Sequence, residues 1–219
     1  MYLKHIIIVF FLTTIISSAF AGDPPRIYEE KAAEILRDVG EIIKSYDAMH
    51  LEFSYTQTDA AMGTNGEMDG FLYASGDSYY FRYGDMHFIS DGHTAWSFLA
   101  DVNEVHISLR EDTEGAVTPL SIIEDFEESF RPLWINQVED EGMVFQIIDL
   151  VSKEPHTFFK YRIAVNKDSG HMLYVTAYDR QGGTYTYSIT HTTIDPEIPE
   201  GLFTFDPTEH PGIEVVDLR

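Results

Sequence analysis

The sequence predicts a mainly β fold, an unclosed antiparallel β-barrel (a half-barrel) with a lid of amphipathic α-helices. Short segments alternate apolar and polar residues and are separated by turns rich in Gly, Asp and Ser, which is typical of about ten strands in hairpin order. Two other segments, one near the N-terminus and one at 119–131, place apolar residues at helical spacing. The second of these lies between strands, which argues against the nearest alternative, a closed lipocalin-type barrel.

The first 21 residues have the pattern of a secretory signal peptide. Lys4 and His5 precede an apolar run, Ile6 to Ile16, that is too short to span a bilayer comfortably. Ala19-Phe20-Ala21 then supplies a small-residue cleavage site, so we expect cleavage after Ala21 and export, rather than an uncleaved membrane anchor. The chain has no cysteine, so we expect neither a disulfide nor N-terminal acylation.

Charge and length limit the possible functions. The chain has 14 Lys and Arg against 37 Asp and Glu, a formal net charge of -23. Such a surface repels phosphate backbones and anionic headgroups, which disfavours nucleic-acid binding and stable membrane insertion. Residues 22–219 are enough for one domain with its own core, and we expect a single domain there.

Two segments predict helices. Asp23 can cap a helix that Pro24-Pro25 opens and that ends near Asp47, and the segment from Pro119 to Arg131 is closed by Pro132. The apolar residues that we expect to form a lid are Ile35, Val39 and Ile43 from the first helix and Leu120, Ile123, Phe126 and Phe130 from the second.

The remaining segments predict strands and turns. Gly63 to Gly66 is expected to be a flexible turn, and Ser90-Asp91-Gly92 a tight turn. The predicted strands after residue 140 are Met143 to Val151, Thr157 to Asn166, Met172 to Tyr178, Thr184 to Thr190 and, after a Pro-rich tail, Ile213 to Leu218.

The sequence offers no motif for a reaction. It contains no cysteine, no G-x-S-x-G, and neither H-x-H nor H-E-x-x-H among its histidines. Carboxylate pairs such as Glu124-Asp125 and Glu127-Glu128 are expected on the solvated face of the second helix. We therefore predict no catalytic residue, no metal site and no cofactor.

Apolar strand faces are the dominant feature of the chain. Alternation predicts that one set of side chains lines a common apolar surface, although an ordinary β-sandwich core would give the same pattern. The residues expected to line it are Leu51, Phe53, Tyr55, Leu72, Phe81, Trp96, Phe98, Ile107, Phe145 and Tyr161.

Five segments in order give the chain its family resemblance. They are Tyr55-Thr56-Gln57, Gly70-Phe71-Leu72-Tyr73, the hairpin Ile89-Ser90-Asp91-Gly92 with Thr94 and Trp96, Leu202-Phe203-Thr204-Phe205-Asp206-Pro207, and Pro211 to Asp217. In this order they resemble the motifs of the periplasmic outer-membrane lipoprotein carrier family, which is called LolA-like. The resemblance covers essentially all of the chain after the signal peptide.

The resemblance implies a half-barrel that binds acyl chains in a hydrophobic cavity beneath a helical lid. Family members take a triacylated lipoprotein from an inner-membrane ABC exporter and deliver it across the periplasm to an outer-membrane acceptor, and we expect a periplasmic monomer. Many members carry Arg-Pro after the Gly-x-Leu strand, and that arginine holds the lid closed. This chain has Gly76-Asp77 there, so the latch role is not transferred, and Arg82 is the nearby candidate.

Two alternative functions remain open at this point. A periplasmic sensor module of the same fold would bind a lipid or lipoprotein without transporting it. An envelope hydrolase would instead require a cluster of carboxylates or histidines with displaced pKa values at the floor of the cavity.

Overall fold

Twelve strands of the described chain form one sheet that does not close. The computed structural model describes residues 26–59, 63–110, 118–124 and 126–219. The elements are α1 (Arg26–Lys44), β1 (Met49–Asp59), β2 (Gly63–Ser75), β3 (Ser78–Tyr83), β4 (Met86–Ser90), β5 (Thr94–Leu99), β6 (Glu104–Leu109), α2 (Pro119–Glu124), α3 (Phe126–Ser129), β7 (Phe130–Asp140), β8 (Met143–Ser152), β9 (Phe158–Val165), β10 (Met172–Asp179), β11 (Thr184–Ile194) and β12 (Glu214–Asp217). The predicted signal peptide and the Asp23 cap lie outside the described residues.

Two consecutive meanders are joined through β1. The strand order is β12-β6-β5-β4-β3-β2-β1-β11-β10-β9-β8-β7, so β1 pairs with both β2 and β11. All of these pairs are antiparallel except β12 with β6, which is parallel. Because β12 and β7 are edge strands and do not pair with each other, the predicted unclosed β architecture with few helices is confirmed.

The two faces of the sheet follow from its register. Side chains directly opposite each other on neighbouring strands lie on the same face. Leu51 is opposite Leu72, and Leu72 is opposite Phe81, so these three residues define one face. We call it the helix-covered face because α1, α2 and α3 pack on it, and we call the opposite one the outer face.

Helix α1 crosses the β7–β10 half of the sheet. At its start, Tyr28 stacks on Trp134 of β7 with 5.9 Å between ring centroids. Just after its end, the Tyr46 hydroxyl donates a hydrogen bond to the Ser169 carbonyl oxygen at 3.0 Å, in the turn between β9 and β10. The predicted apolar stripe accounts for this placement, since the buried residues of α1 lie on one side of it: Ala32, Ile35, Leu36 and Val39.

The second predicted helix is only partly helical. It ends at Ser129, and the chain continues as β7 from Phe130, so the expectation that Phe130 and Arg131 lie in this helix is wrong. Pro132 therefore lies in a strand, which an edge strand tolerates. The alternation pattern did not predict β7, because the register of β7 with β8 shifts between Trp134 and Asn136. This bulge interrupts the alternation of apolar and polar residues.

The turn predicted at Gly63 to Gly66 is also wrong, because these residues begin β2. Both glycines have positive φ, 82° and 114°. The pairing with β1 is irregular nearby, between Thr56 and Thr58. Glycine within a strand often marks such an irregularity, so the signal taken for a turn indicates a distorted strand end.

Candidate functional site

A row of aromatic rings crosses the helix-covered face. Phe53 lies 5.5 Å from Phe81, and Tyr55 lies 5.1 Å from Tyr187, measured between ring centroids. We call the set the aromatic row, and its members are Phe88, Tyr83, Phe81, Phe53, Tyr55, Tyr187, Tyr185, Phe158, Tyr161 and Phe130. The ring contacts link these residues in two groups, one from Phe88 to Tyr187 and one from Tyr185 to Phe130. Both groups pack in one apolar cluster and together form one apolar wall, because β1 joins the two meanders into a single sheet.

Short helices cover this wall with their own side chains. Leu120, Ile122 and Ile123 of α2 and Phe126 of α3 are buried in one cluster with the wall, and we call these four the cover residues. Beneath them, the Phe53 side chain is only 2% exposed. The buried part of the wall is therefore filled by the protein's own residues, and an acyl chain could reach this part only after the cover moves. The other members of the aromatic row remain partly exposed, and the buried ones are Phe53, Tyr55, Phe81 and Tyr161.

Most of the predicted lining and lid residues lie together. Phe130 and Ile43 are partly buried against this cluster, and Phe130 reaches it from β7 instead of from a helix. The predicted residues buried within the cluster are Leu51, Phe53, Tyr55, Leu72, Phe81 and Tyr161 on strands and Ile35, Val39, Leu120, Ile123 and Phe126 on helices.

Trp96, Phe98 and Ile107 do not lie on the wall, which corrects the prediction. Strand pairing places Phe88, Ser97 and His106 on the same face as Phe81, which is the helix-covered face. Trp96 and Phe98 are the neighbours of Ser97 in β5, and Ile107 is the neighbour of His106 in β6. The three predicted residues consequently lie on the outer face. There they pack against Phe205 and Ile213 of the C-terminal tail.

Phe145 also lies on the outer face, where it packs with Ile147 and Ala164. The side chains of β8 that face the helices are Ile148 and Leu150. All six residues from Phe145 to Leu150 are buried, so both faces of this part of β8 are covered. The sequence therefore has no alternation of buried and exposed positions that would show which residues face the helices. Alternation shows which residues of a strand share a face, and it does not show which face that is.

Sequence reasoning also missed several members of the site. Ile122 is off the predicted helical stripe but is buried, because the two-turn helix α2 packs on more than one side. Tyr83 and Tyr187 belong to the aromatic row, where their rings pack edge to face with 6.1 Å between centroids. Tyr83 lies two residues after Phe81 in β3, and Tyr187 lies two residues after Tyr185 in β11. This alternation was the sequence signal that could have identified them.

Among the contacts of the described residues, apolar packing contributes more than ion pairing to holding the cover. Arg82 is not the latch, because it lies on the outer face with its guanidinium 5.8 Å from the centre of the Phe71 ring. The pair that joins α1 to α3 is Arg37 Nε with Glu127 Oε1 at 2.8 Å, with side chains that are 56% and 64% exposed. Such a pair contributes at most about 1 kcal/mol. Burial of each large apolar side chain contributes about 1.5–3 kcal/mol, so the four cover residues dominate.

The hydroxyl groups of the row are held in their neutral form. Burial raises the pKa of Tyr55 and the pKa of Tyr161 to about 12. Burial also raises the pKa of Tyr187 and Tyr83. The wall therefore remains uncharged over the physiological pH range, as contact with hydrocarbon requires.

We expect alkali to destabilise the folded state through these tyrosines. Because their pKa is higher in the folded chain than in the unfolded chain, their contribution is fully present below about pH 10 and is lost as the pH rises towards 12. Urea denaturation at about pH 9 and about pH 11.5, on either side of the unfolded pKa, measures this loss. Tyr161→Phe should reduce the difference between the two pH values, and an unchanged difference would contradict the role of Tyr161.

Neither a metal cluster nor a membrane-spanning helix was found in the described ranges. No group of three or more His, Asp or Glu residues there could hold a metal ion. None of the helices described is long and apolar enough to cross a bilayer.

The fold and the site together define a half-barrel protein with a helix-covered apolar face. The family model "Outer membrane lipoprotein carrier protein LolA" matches residues 45–206. The chain belongs to this family, and the resemblance predicted from its motifs is confirmed. No curated protein matches the chain significantly.

Solved structures are similar to this chain at low sequence identity. An uncharacterized conserved protein from Thermus thermophilus is similar with a TM-score of 0.58 and 13% identity, over 85% of this chain and 99% of that one. A putative outer membrane lipoprotein-sorting protein domain from Vibrio parahaemolyticus gives a TM-score of 0.45 and 12% identity, over 80% of this chain and 97% of that one. At 13% identity, the similarity to the Thermus protein supports the fold alone.

Proposed function

We propose that this protein is a periplasmic carrier that shelters the acyl chains of lipoproteins on the aromatic row and transfers them from the inner to the outer membrane. The observation that carries the proposal is the apolar wall beneath a cover of short helices held by apolar contacts. Its partners would be triacylated lipoproteins, an inner-membrane ABC exporter and an outer-membrane acceptor. Membership of a carrier family supports this function.

The free energy of burying the four cover residues is of the same size as that of burying one acyl chain. Each buried methylene contributes about 0.8 kcal/mol, so exposing one long acyl chain to water costs on the order of 10 kcal/mol. The four cover residues together contribute roughly 6–12 kcal/mol when they pack on the wall. Shelter for one of the three chains of a triacylated cargo would therefore offset the displacement of the cover. The other two chains would have to be sheltered about as well as they are in a membrane, because a carrier must both accept its cargo and release it.

The wall also suits a cargo without a fixed shape. Aromatic and branched side chains give a non-directional apolar surface, and no buried side-chain N or O atom of the described residues lacks a hydrogen-bond partner. An acyl chain therefore does not have to provide hydrogen bonds. We propose that the protein acts as a monomer and catalyses no reaction.

Loading from membranes tests the proposed function. Spheroplasts that release lipoproteins are incubated with the protein, and its intact mass is then measured under native conditions. We expect acylated cargo on the wild type and on Tyr80→Glu, and none on Tyr83→Glu. Tyr80 and Tyr83 are both half-buried on β3, but Tyr80 lies on the outer face. Failure of the wild type to carry cargo would contradict the proposal.

Deletion of the gene separates a carrier from a sensor. Loss of lipoproteins from the outer-membrane fraction is the result expected for a carrier. An altered stress response with normal lipoprotein sorting would instead indicate a module that binds lipoproteins without moving them.

A further inference from the structure

The second half of β7 is an open strand edge. Strand β7 is the last strand of the sheet on this side, and Ile135 to Asp140 are all exposed. Natural edge strands are commonly protected by charged side chains, by Pro, by a β-bulge or by a covering segment. Pro132 and the bulge lie in the first half of β7, which also contacts α1, and among the described residues only the carboxylates of Glu139 and Asp140 protect the second half. The backbone groups along this half are therefore available for another strand.

An apolar patch of the outer face reaches this edge. Val138 is opposite Phe145 and Asp140 is opposite Met143, so Val138 and Met143 lie on the outer face. They extend the cluster that Phe145 forms with Ile147, and they remain more than one third exposed. A strand added to β7 would bury its own outward-facing side chain against Val138.

The hairpin tip beside the patch is acidic. Glu139, Asp140 and Glu141 are consecutive and exposed, and no hydrogen bond or ion pair within the described chain engages their side chains. A second copy of this chain would bring three further carboxylates to the same tip if the strands were parallel. Charge complementarity favours instead a segment that carries Lys or Arg.

We propose that the exposed half of β7 is a docking edge for an extended, basic segment of a partner protein, which adds to the sheet as another strand. The order of residues along β7 specifies the sequence of the partner segment. Two basic residues of the segment would lie beside Asp140 and Glu139, and its next residue, beside Val138, would be apolar. Main-chain hydrogen bonds would supply affinity, and these three positions would supply specificity. This edge is distinct from the helix-covered wall, so the partner could bind with cargo in place.

Peptide binding tests this proposal directly. The probe is a fluorescein-labelled ten-residue peptide that begins Lys-Arg-Ile and continues with alternating Thr and Val, and binding is followed by fluorescence anisotropy. Val138→Lys should weaken binding about tenfold or more, because it removes the apolar contact and adds a like charge. The matched control is Val215→Lys on β12, the opposite edge strand, where Val215 is 46% exposed against 38% for Val138. The control should bind as the wild type does.

A charge swap makes the test specific. The double variant Glu139→Lys, Asp140→Lys should lose the basic peptide and gain a matching peptide that begins Glu-Asp-Ile. Equal binding of both peptides by the wild type, or retained binding by Val138→Lys, would overturn the proposal. A dimer in light scattering that Val138→Lys dissociates would assign the edge to a second copy, and this would also overturn it.

Discussion

A variant with Gly40→Cys and Ile123→Cys is expected to lose acyl binding when oxidised and to recover it when reduced. A Cβ atom placed on Gly40 of α1 would lie 4.0 Å from Cγ2 of Ile123 in α2, so the two positions are neighbours and a small approach of the helices would allow a disulfide. The natural chain has no cysteine, so only this bridge can form within it. The bridge ties α2 to α1 and keeps the cover over the wall.

The measurement is the binding of a fluorescent fatty acid before and after addition of reductant. Each single-cysteine variant is the control, and each should bind equally in both conditions. Undiminished binding by the oxidised double variant would show that the cover does not have to leave. In that case, acyl chains would have to bind somewhere other than beneath α2.

The second large effect is expected at Gly70. A Cβ atom at this position would overlap Cε2 and Cζ of Phe53 and would lie 2.5 Å from the Arg82 carbonyl oxygen. One of these contacts is with backbone, so a change of rotamer alone cannot relieve the overlap. Gly70→Ala should therefore lower the free energy of unfolding by about 1–3 kcal/mol or more. Urea denaturation measures this change.

Gly40→Ala provides the matched control for Gly70→Ala. Its new methyl group meets only Ile123, at an ordinary 4.0 Å, and it lies within α1. Alanine is the better helix former, so this variant should be more stable by up to about 1 kcal/mol. Phe53→Leu should partly rescue Gly70→Ala if the ring is the obstacle. Equal effects of alanine at the two glycines would contradict this account of the wall.

The fold class could be predicted because its signals are local. Alternation in Leu51 and Phe53 and the helical stripe of Ile35 and Val39 each arise within one element. Which face of the sheet a residue occupies depends on partners far away in sequence. Trp96 therefore alternated correctly but was assigned to the wrong face, since the C-terminal tail that packs there makes the outer face apolar as well.

The end of the second helix was unpredictable for a similar reason. Phe130 follows Phe126 by four residues and thus fits a helix, yet it also fits the first position of a strand opposite Ser152. Tertiary pairing with β8 decides between the two conformations. Whether the space beneath α2 is open or filled is also not a local property of the sequence. No pattern in α2 shows that its apolar side chains fill this space.

The two tryptophans provide the most direct test of where hydrocarbon binds, because they lie on opposite faces of the sheet. Trp134 is at the margin of the helix-covered wall, where its Nε1 donates a hydrogen bond to Gln146 Oε1 at 2.8 Å. Trp96 is on the outer face, where it packs on the cluster of Phe98, Val105 and Ile107. A fatty acid brominated along its chain quenches the fluorescence of an indole that it contacts. We predict that it quenches Trp134 in Trp96→Phe and leaves Trp96 unquenched in Trp134→Phe. The reverse result would contradict an acyl site on the helix-covered wall.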